Sequence, residues 1–470
     1  MNRLPVRAND RRALLTLLAL AFLLRAGLAV FDPSIAFADE IYQYQEPAHR
    51  WLTGLGIPTW EWTQHLRSWL FPGLVLPVMA GVRLISDNPA LYWDTIGCVV
   101  SALSLPVVWV AYRWGFETGG RQGAIIAGAT AAVSFQLVYF SSHLLMDTVA
   151  TDLLLPALYA CREYRLRNDR RGLAWGAALL GLLIYARPQL APVLLLPAAA
   201  ILLAARKNGH VTLCLAWGLG PLLALGALDW FTLGRPLQSV WLYVYVNLFS
   251  VGDEFGVQPW YWYFGNNLLV WSSATVPILY FSWLASKQFR LEYITAWLIV
   301  ATMSAIAHKE QRFMLPAQAI LLVLTGVGIG EFRAAREGLF ADPAVYLVLI
   351  GATSLGLALL PSFLPEIQRW DTEIKVKNRV MADPQACGIY FMPRLSIMAF
   401  GGYTGARDGV RLYDDRFDAP AISLRNSNYI LTRTKLGRTL PLPASYAPQS
   451  CAPTTDDYQV CVYRRTGGCG

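Results

Sequence analysis

The sequence predicts an α-helical polytopic membrane protein with a small external α/β or β-rich domain at its C-terminus, on three observations. Apolar runs of about 20 residues, the length that crosses a hydrocarbon core of about 30 Å, recur along the chain up to residue 361. Of 470 residues, 55% are hydrophobic and 15% charged, which is too apolar for ordinary soluble domains. Beyond residue 361 the runs stop, and short alternating segments (GIYFM, RLSIMAF, AISLRNSNYILTR, YQVCVYRR) stand between Gly, Pro and Asp clusters. The division is a membrane domain, 1–361, and a C-terminal domain, 362–470. The net charge of +8 does not call for nucleic acid, because Arg and Lys sit mostly in short loops where bilayer orientation accounts for them.

Taken in order, the segment Arg11–Phe31 has an apolar run too long for a signal peptide and no small-residue cleavage site after it, so it reads as a retained span. Eleven spans are placed near 12–31, 90–112, 122–141, 144–160, 172–186, 189–205, 211–230, 263–285, 291–307, 314–331 and 343–361. Alternation gathers Arg3, Arg7, Arg11, Arg12, Arg113, Arg121, the CREYRLRNDRRG loop, Arg206, Lys207, Lys287, Arg290, Arg333 and Arg336 on one side. By the positive-inside rule that side is cytoplasmic, as is the N-terminus. The Pro-interrupted run Ser68–Ile85 would turn the Arg-rich loop outward if it spanned, so it reads as an interfacial helix. The external side then holds the first loop (32–89), the SSHLLMD turn, Arg187, HKEQR and the C-terminal domain. A bacterial inner membrane and an endoplasmic reticulum membrane both suit this arrangement.

Four of the seven cysteines, Cys387, Cys451, Cys461 and Cys469, fall in the C-terminal domain, where an oxidising compartment permits disulfides. Of the three possible pairings, Cys451 with Cys461 and Cys387 with Cys469 is preferred. Cys98, Cys161 and Cys214 lie in or beside spans and read as small packing residues.

The unusual chemistry lies in the first loop and in HKEQR. Asp39, Gln43, Glu46 and Arg50, spaced 4, 3 and 4, share one helical face, with Ile41, Tyr44, Ala48 and Trp51 on the other, which predicts an amphipathic helix resting on the membrane. Asp39 and Glu40 fit either a helix cap or a general base whose pKa is raised by a low dielectric and a neighbouring carboxylate. In TWEW, Glu61 stands between Trp60 and Trp62, followed by Arg67 and Ser68. Those aromatics suit an interfacial belt or a sugar-binding surface. HKEQRF (His308–Phe313) suits a phosphate clamp or a snorkelling helix end, and Arg187 adds a cation on the same side. Arg25, towards the outer end of the first span, is expected to face the external site. DDRFD (Asp414, Asp415, Asp418) reads as a turn. No metal constellation, Walker A sequence or dinucleotide fingerprint is present, so no cofactor is expected.

ADEIYQYQEPAHR, TWEWTQHLRSW and HKEQRFMLP, in this order, resemble glycosyltransferase family 22 of the GT-C superfamily. TWEW with LRS is most similar to the enzyme adding the third mannose of the glycosylphosphatidylinositol anchor, and YQYQEPAH to the lipid-linked-oligosaccharide enzymes. The resemblance implies a GT-C fold and inverting transfer of mannose from a polyprenyl (dolichyl) phosphate mannose lipid to a glycan or glycolipid acceptor, without a metal. It implies Asp39 as base beside Glu40; His308, Lys309 and Arg312, with Arg187, at the donor phosphate; and Glu46, Trp60, Glu61, Arg67 and Asp147 at the acceptor or sugar. Ala38 departs from the Pro usual in the anchor enzymes. Other expectations consistent with the sequence are a GT-C transferase using another hexose or an aminosugar, and a transporter; the absence of a repeat and the one-sided chemistry weigh against the transporter.

Overall fold

The computed structural model describes residues 8–31, 34–86, 88–249, 256–359, 371–392, 401–414, 418–438, 440, 442–454 and 457–469. Arg3, Arg7, the RLSIMAF segment, Asp415 and the expected domain boundary lie outside them. The described residues fall into two compact units, one of Met1–Leu28, His65–Ser68 and Cys98–Phe363, the other of Ala29–Gln64, Trp69–Gly97 and Leu364–Gly470.

The chain is an integral membrane protein, mostly helical. Among the described residues six helical segments are long and apolar enough to cross a bilayer: Asn9–Phe31, Ala90–Val133, Pro188–Lys207, Val211–Leu233, Trp262–Ala285 and Gln311–Ala334. The second doubles back on itself. Gly120 has φ +59° and ψ −151°, a backbone that only glycine adopts at ease, and a Cβ on Gly115 would stand 2.4 Å from the Gly123 carbonyl oxygen. Helices Met146–Arg167, Arg170–Ala186, Arg290–Ala305 and Pro343–Ala358 occupy the other segments read as spans. The first is polar, and the others have 16 or 17 residues, about 24–26 Å of helix.

In the first unit the helix Leu315–Ala334 is central, buried from Leu315 to Gly330. Its TGVGIG stretch explains how its neighbours come so close: a Cβ on Gly326 would meet the Ala127 Cα at 2.8 Å, and one on Gly328 would run into the Phe281 carbonyl. Small residues are what let helices pack by contact when lipid removes the hydrophobic drive between them. Arg25 corrects the expectation made for it. It is fully buried, donating to the Ser104 hydroxyl at 2.5 Å and the Ala131 carbonyl at 2.9 Å, and it shares a small polar cavity with Asp152. An intramembrane charge is tolerated when paired and hydrogen-bonded, so Arg25 holds helices together instead of facing an external site.

The second unit joins most of the first loop to the C-terminal segment. Glu40–Gln45 is a single π-helical turn, followed by the α-helix Glu46–Thr53. This overturns the amphipathic surface helix. A π turn bonds i to i+5, so a face computed at 3.6 residues per turn does not persist. Every residue from Glu40 to His49 is buried, Glu46 of the expected polar face among them. The apolar run after it forms the helix Leu70–Arg83, whose 14 residues reach about 21 Å, short of a hydrocarbon core of about 30 Å.

The C-terminal segment contains a five-stranded mixed sheet. Strands β1 (Gly388–Met392), β2 (Arg411–Asp414), β3 (Tyr429–Lys435), β4 (Tyr446–Pro453) and β5 (Tyr458–Arg465) lie in the order β2-β1-β3-β5-β4. β1 runs parallel to β2 and β3, while β5 is antiparallel to β3 and β4. Period-2 alternation buries both faces: Ile389, Phe391 and Leu431 pack with Val376 and Val380 of the helix Asp371–Met381, and Tyr390, Ile430 and Tyr446 pack on the other side. The first half of AISLRNSNYILTR, expected as an alternating strand-like segment, is instead the helix Pro420–Asn426, started by Pro420 in its first turn. In DDRFD the Asp414 amide donates to the Asp418 carboxylate at 3.0 Å.

Cys387 is bonded to Cys469 and Cys451 to Cys461, with sequence separations of 82 and 10. Because loop-closure entropy grows with loop length, replacing both cysteines of the long-loop pair by serine is expected to destabilise the protein by about 2 kcal/mol more than replacing those of the short-loop pair. Thermal melting of the two double variants in detergent reads the difference, and a larger loss from the short-loop pair would contradict it.

Candidate functional site

Three sequence-distant elements of the first unit converge. The Phe135–Phe140 helix ends, the chain turns, and Asp147 enters the first turn of Met146–Arg167, where a helix N-terminus favours an anion. Pro188 disfavours helical geometry in the residue before it, so Arg187 leaves Arg170–Ala186 at φ −143° and ψ 80°. His308–Gln311 forms the irregular link between Arg290–Ala305 and the central helix, with Arg312 in a single 3₁₀ turn, Gln311–Met314.

At their meeting point the Asp147 carboxylate forms an ion pair with the Arg187 guanidinium at 2.9 Å and faces the Arg312 Nε at 3.8 Å, with side-chain exposures of 2%, 5% and 9% for Asp147, Arg187 and Arg312. Glu310 is the second carboxylate, 2.5 Å from Arg312 and 3.1 Å from the His308 Nε2. Burial pushes the Glu310 carboxyl up, but hydrogen bonds and positive charge from His308 and Arg312 outweigh it and bring it to about 2. The Arg187 guanidinium lies 4.8 Å from the Phe313 ring centroid and donates to the Tyr243 hydroxyl at 3.5 Å. Arg67 stacks over that same tyrosine at 5.3 Å and donates a guanidinium N–H to the Met146 sulfur, 3.3 Å away. Lys309 is buried, donates to the Ile306 carbonyl and lies 5.9 Å from the Tyr263 ring centroid. Arg67, Arg187, Lys309 and Arg312 are thus gathered with Asp147 and Glu310 in a poorly hydrated place, a set of donors whose geometry suits an anion with planar or tetrahedral oxygens.

Beside this cluster runs a hydroxyl chain. Asp229, fully buried, accepts from the Tyr185 hydroxyl, and from the Ser239 amide at 2.9 Å and hydroxyl at 2.6 Å, while Tyr185 meets Ser68 at 2.5 Å. It secures Ser68 next to Arg67.

The other predicted residues belong to the second unit. Asp39 is half-buried at the head of the π turn, and its side chain makes no capping hydrogen bond, so the helix-cap reading does not describe it. Glu40 is buried and accepts from the Ala36 amide at 2.7 Å. Trp60 is exposed at 40%, and Glu61 receives the Gln43 amide at 3.4 Å. Glu46 is fully buried and accepts three backbone N–H groups, from Ile57, Tyr403 and Thr404, each at 3.1 Å. Burial raises its carboxyl to about 7, against those hydrogen bonds and the charge of Lys377, and burial brings Lys377 down to about 7.

Sequence reasoning missed Tyr243, Tyr263, Asp229 and Lys377. The aromatic-rich WLYVYVNLF signals only an apolar helix; a tyrosine's hydroxyl partner is set by tertiary packing. Asp147 was noticed, but as an acceptor residue; its salt bridges place it among the cations assigned to the donor.

The sequence matches the Alg9-like mannosyltransferase family over residues 16–368. It is 27% identical over 326 residues to GPI mannosyltransferase 3 of Drosophila melanogaster, covering 66% of this chain and 56% of that protein. Mannosyltransferase APTG1 of Arabidopsis thaliana is 26% identical over 308 residues, 63% of this chain and 55% of that protein. The chain thus spans about half the length of these relatives. The fold resembles that of ArnT from Cupriavidus metallidurans, with a TM-score of 0.58 in the apo state and 0.57 bound to undecaprenyl phosphate. Both have 13% identity and at least 96% coverage of either chain.

Removing Asp147 takes the paired carboxylate from the buried Arg187, while Arg312 keeps Glu310. Asp147→Ala is expected to cost about 3–5 kcal/mol of stability, seen as a lowered melting temperature in detergent; an unchanged one would contradict the pairing. Glu310, held near 2 against an ordinary 4.5, contributes stability that is present above the ordinary value and lost as pH falls through the folded one. Glu310→Gln should therefore flatten the acid limb of the stability profile between those values.

Proposed function

The chain belongs to the Alg9-like mannosyltransferase family, and from that membership we propose that it moves a mannosyl residue from polyprenyl (dolichyl-type) phosphate mannose to a glycan or glycolipid acceptor, with inversion. The observation that carries this reading is the cluster of buried cations around Asp147. As the bond between the anomeric carbon and the phosphate oxygen breaks, its electron pair goes to the phosphate, and preorganised cations lower the barrier by stabilising that charge. Arg187, Arg312, Lys309 and His308 take this role. Arg67, stacked on the tyrosine that Arg187 touches, joins them, and Asp147 holds the two arginines apart and aligned. In this reading both belong to the donor side.

Asp39 accepts the proton of the acceptor hydroxyl as its oxygen attacks the anomeric carbon. Support for Asp39 comes from its place in ADEIYQYQEPAHR. Glu40 shapes the turn through the Ala36 amide. Trp60 and Glu61 are the residues assigned to the acceptor or its sugars. A neighbour in fold, ArnT, was crystallised with undecaprenyl phosphate, which agrees with a polyprenyl carrier. We read eleven membrane crossings, the N-terminus in the cytoplasm, and the site and C-terminal domain outside.

Purified protein in vesicles is expected to release polyprenyl phosphate from polyprenyl phosphate mannose only when a mannosylated lipid or glycan acceptor is present. Asp39→Asn should reduce turnover by about 10²–10⁴-fold while keeping donor binding. Full turnover in that variant removes Asp39 from the chemistry.

A further inference from the structure

Glu46 stands six residues after Glu40, in the segment that resembles the family, yet it spends its carboxylate on the fold. Two of its three N–H donors, Tyr403 and Thr404, belong to the C-terminal segment, beyond the last residue, 368, that matches the family. The receiving turn is built for it. Gly401 and Gly402 have φ +74° and +57°, so the turn needs glycine at both. A Cβ on Gly402 would stand 2.9 Å from both Glu46 oxygens, and one on Gly401 would collide with the Trp93 ring at 2.1 Å. Trp93 in turn donates to the Thr404 hydroxyl at 3.4 Å, and the buried Lys377 ammonium lies 4.8 Å from its ring centroid.

Lys377 and Ile374 are one helical turn apart on Asp371–Met381. Ile374 packs with Ile35, Ile41 and Tyr42, which flank Asp39 and Glu40 in sequence, and Ala38, Ile57 and Trp93 complete that cluster. The turn bearing the assigned base is thus clamped on one side by apolar contact with a C-terminal helix and on the other by a carboxylate seated in a C-terminal turn.

We propose that Glu46, with Lys377 and Ile374, is a positioning device through which the C-terminal domain sets the place of Asp39. Glu46 and Lys377 touch no substrate in this account; they act through the π turn. The role of Asp39 rests on the function proposed above, whereas the clamp itself does not. Displacing a reacting group by about 1 Å can cost about 10²-fold in rate, so loosening the clamp should lower kcat and leave the donor seat, in the other unit, as it was.

The test uses the full-length protein in vesicles, with hydrogen exchange over residues 34–45 as the first readout. Glu46→Gln, which keeps shape but removes the charge, should speed exchange there at least tenfold, and Glu46→Asp should recover part of the protection. With labelled polyprenyl phosphate mannose and, as acceptor source, membranes of the protein's own cells lacking its gene, kcat should fall about 10- to 100-fold while the donor KM stays within about twofold. If Glu46→Gln does not fold, Ile374→Ala carries the same measurements. Unchanged exchange overturns the clamp, and faster exchange with unchanged kcat overturns its positioning role. Full activity of Asp39→Asn overturns the base assignment instead, and the exchange result still decides the clamp.

Discussion

One nearly inaccessible carboxylate, Asp147, lies against two guanidiniums from different parts of the chain. A buried charge without a partner is far more costly than a paired one, so this contact forces three elements to meet: the start of Met146–Arg167, the break at Arg187-Pro188 and the link before the central helix. In the function proposed above, the cations gathered there with Asp147 and Glu310 form the seat of the donor phosphate. Tyr243 and Phe313 add aromatic faces that hold the guanidiniums in place at little entropic cost.

The chemistry that the same account requires at the acceptor hydroxyl comes from a unit of different construction. There the first loop packs with the C-terminal segment: its apolar residues share a core with Ile374, and its buried Glu46 accepts from backbone amides more than 350 positions away. The family match ends near residue 368, so a segment outside the matched region completes the environment of residues inside it.

Much of the membrane part is legible in the sequence because a hydrocarbon core demands long apolar runs, and the helices observed fall on those runs. The turn at Gly120 falls in the gap read between the spans 90–112 and 122–141, although the left-handed backbone of its glycine gives no hydropathy signal. The first loop was misread for a related reason: periodicity at 3.6 residues assumes an α-helix with one solvated face. A buried π turn breaks both assumptions, and Glu46, expected on the polar face, lies inside. Arg25 was misplaced because the cost of a charge in a span shows that it must be paired, not with whom; Ser104, the Ala131 carbonyl and Asp152 are known only once the helices are packed. HKEQRF and Arg187 were recognisable by residue type and side of the membrane. The carboxylates that order them were not, because acids in a short turn or in the middle of a basic motif give no sign of which cations they serve.

The central claim, that the cations gathered around Asp147 hold the phosphate of a polyprenyl carrier, is tested most directly by binding in the absence of any reaction. Titration of the protein in nanodiscs with undecaprenyl phosphate, followed by the phosphorus resonance of the lipid, should show saturable binding to the unaltered chain. Arg312→Gln and Arg187→Gln, each confirmed folded by melting, should weaken it at least tenfold, with uncharged undecaprenol failing to bind comparably. Equal affinity of these variants and the unaltered protein for undecaprenyl phosphate would contradict the account.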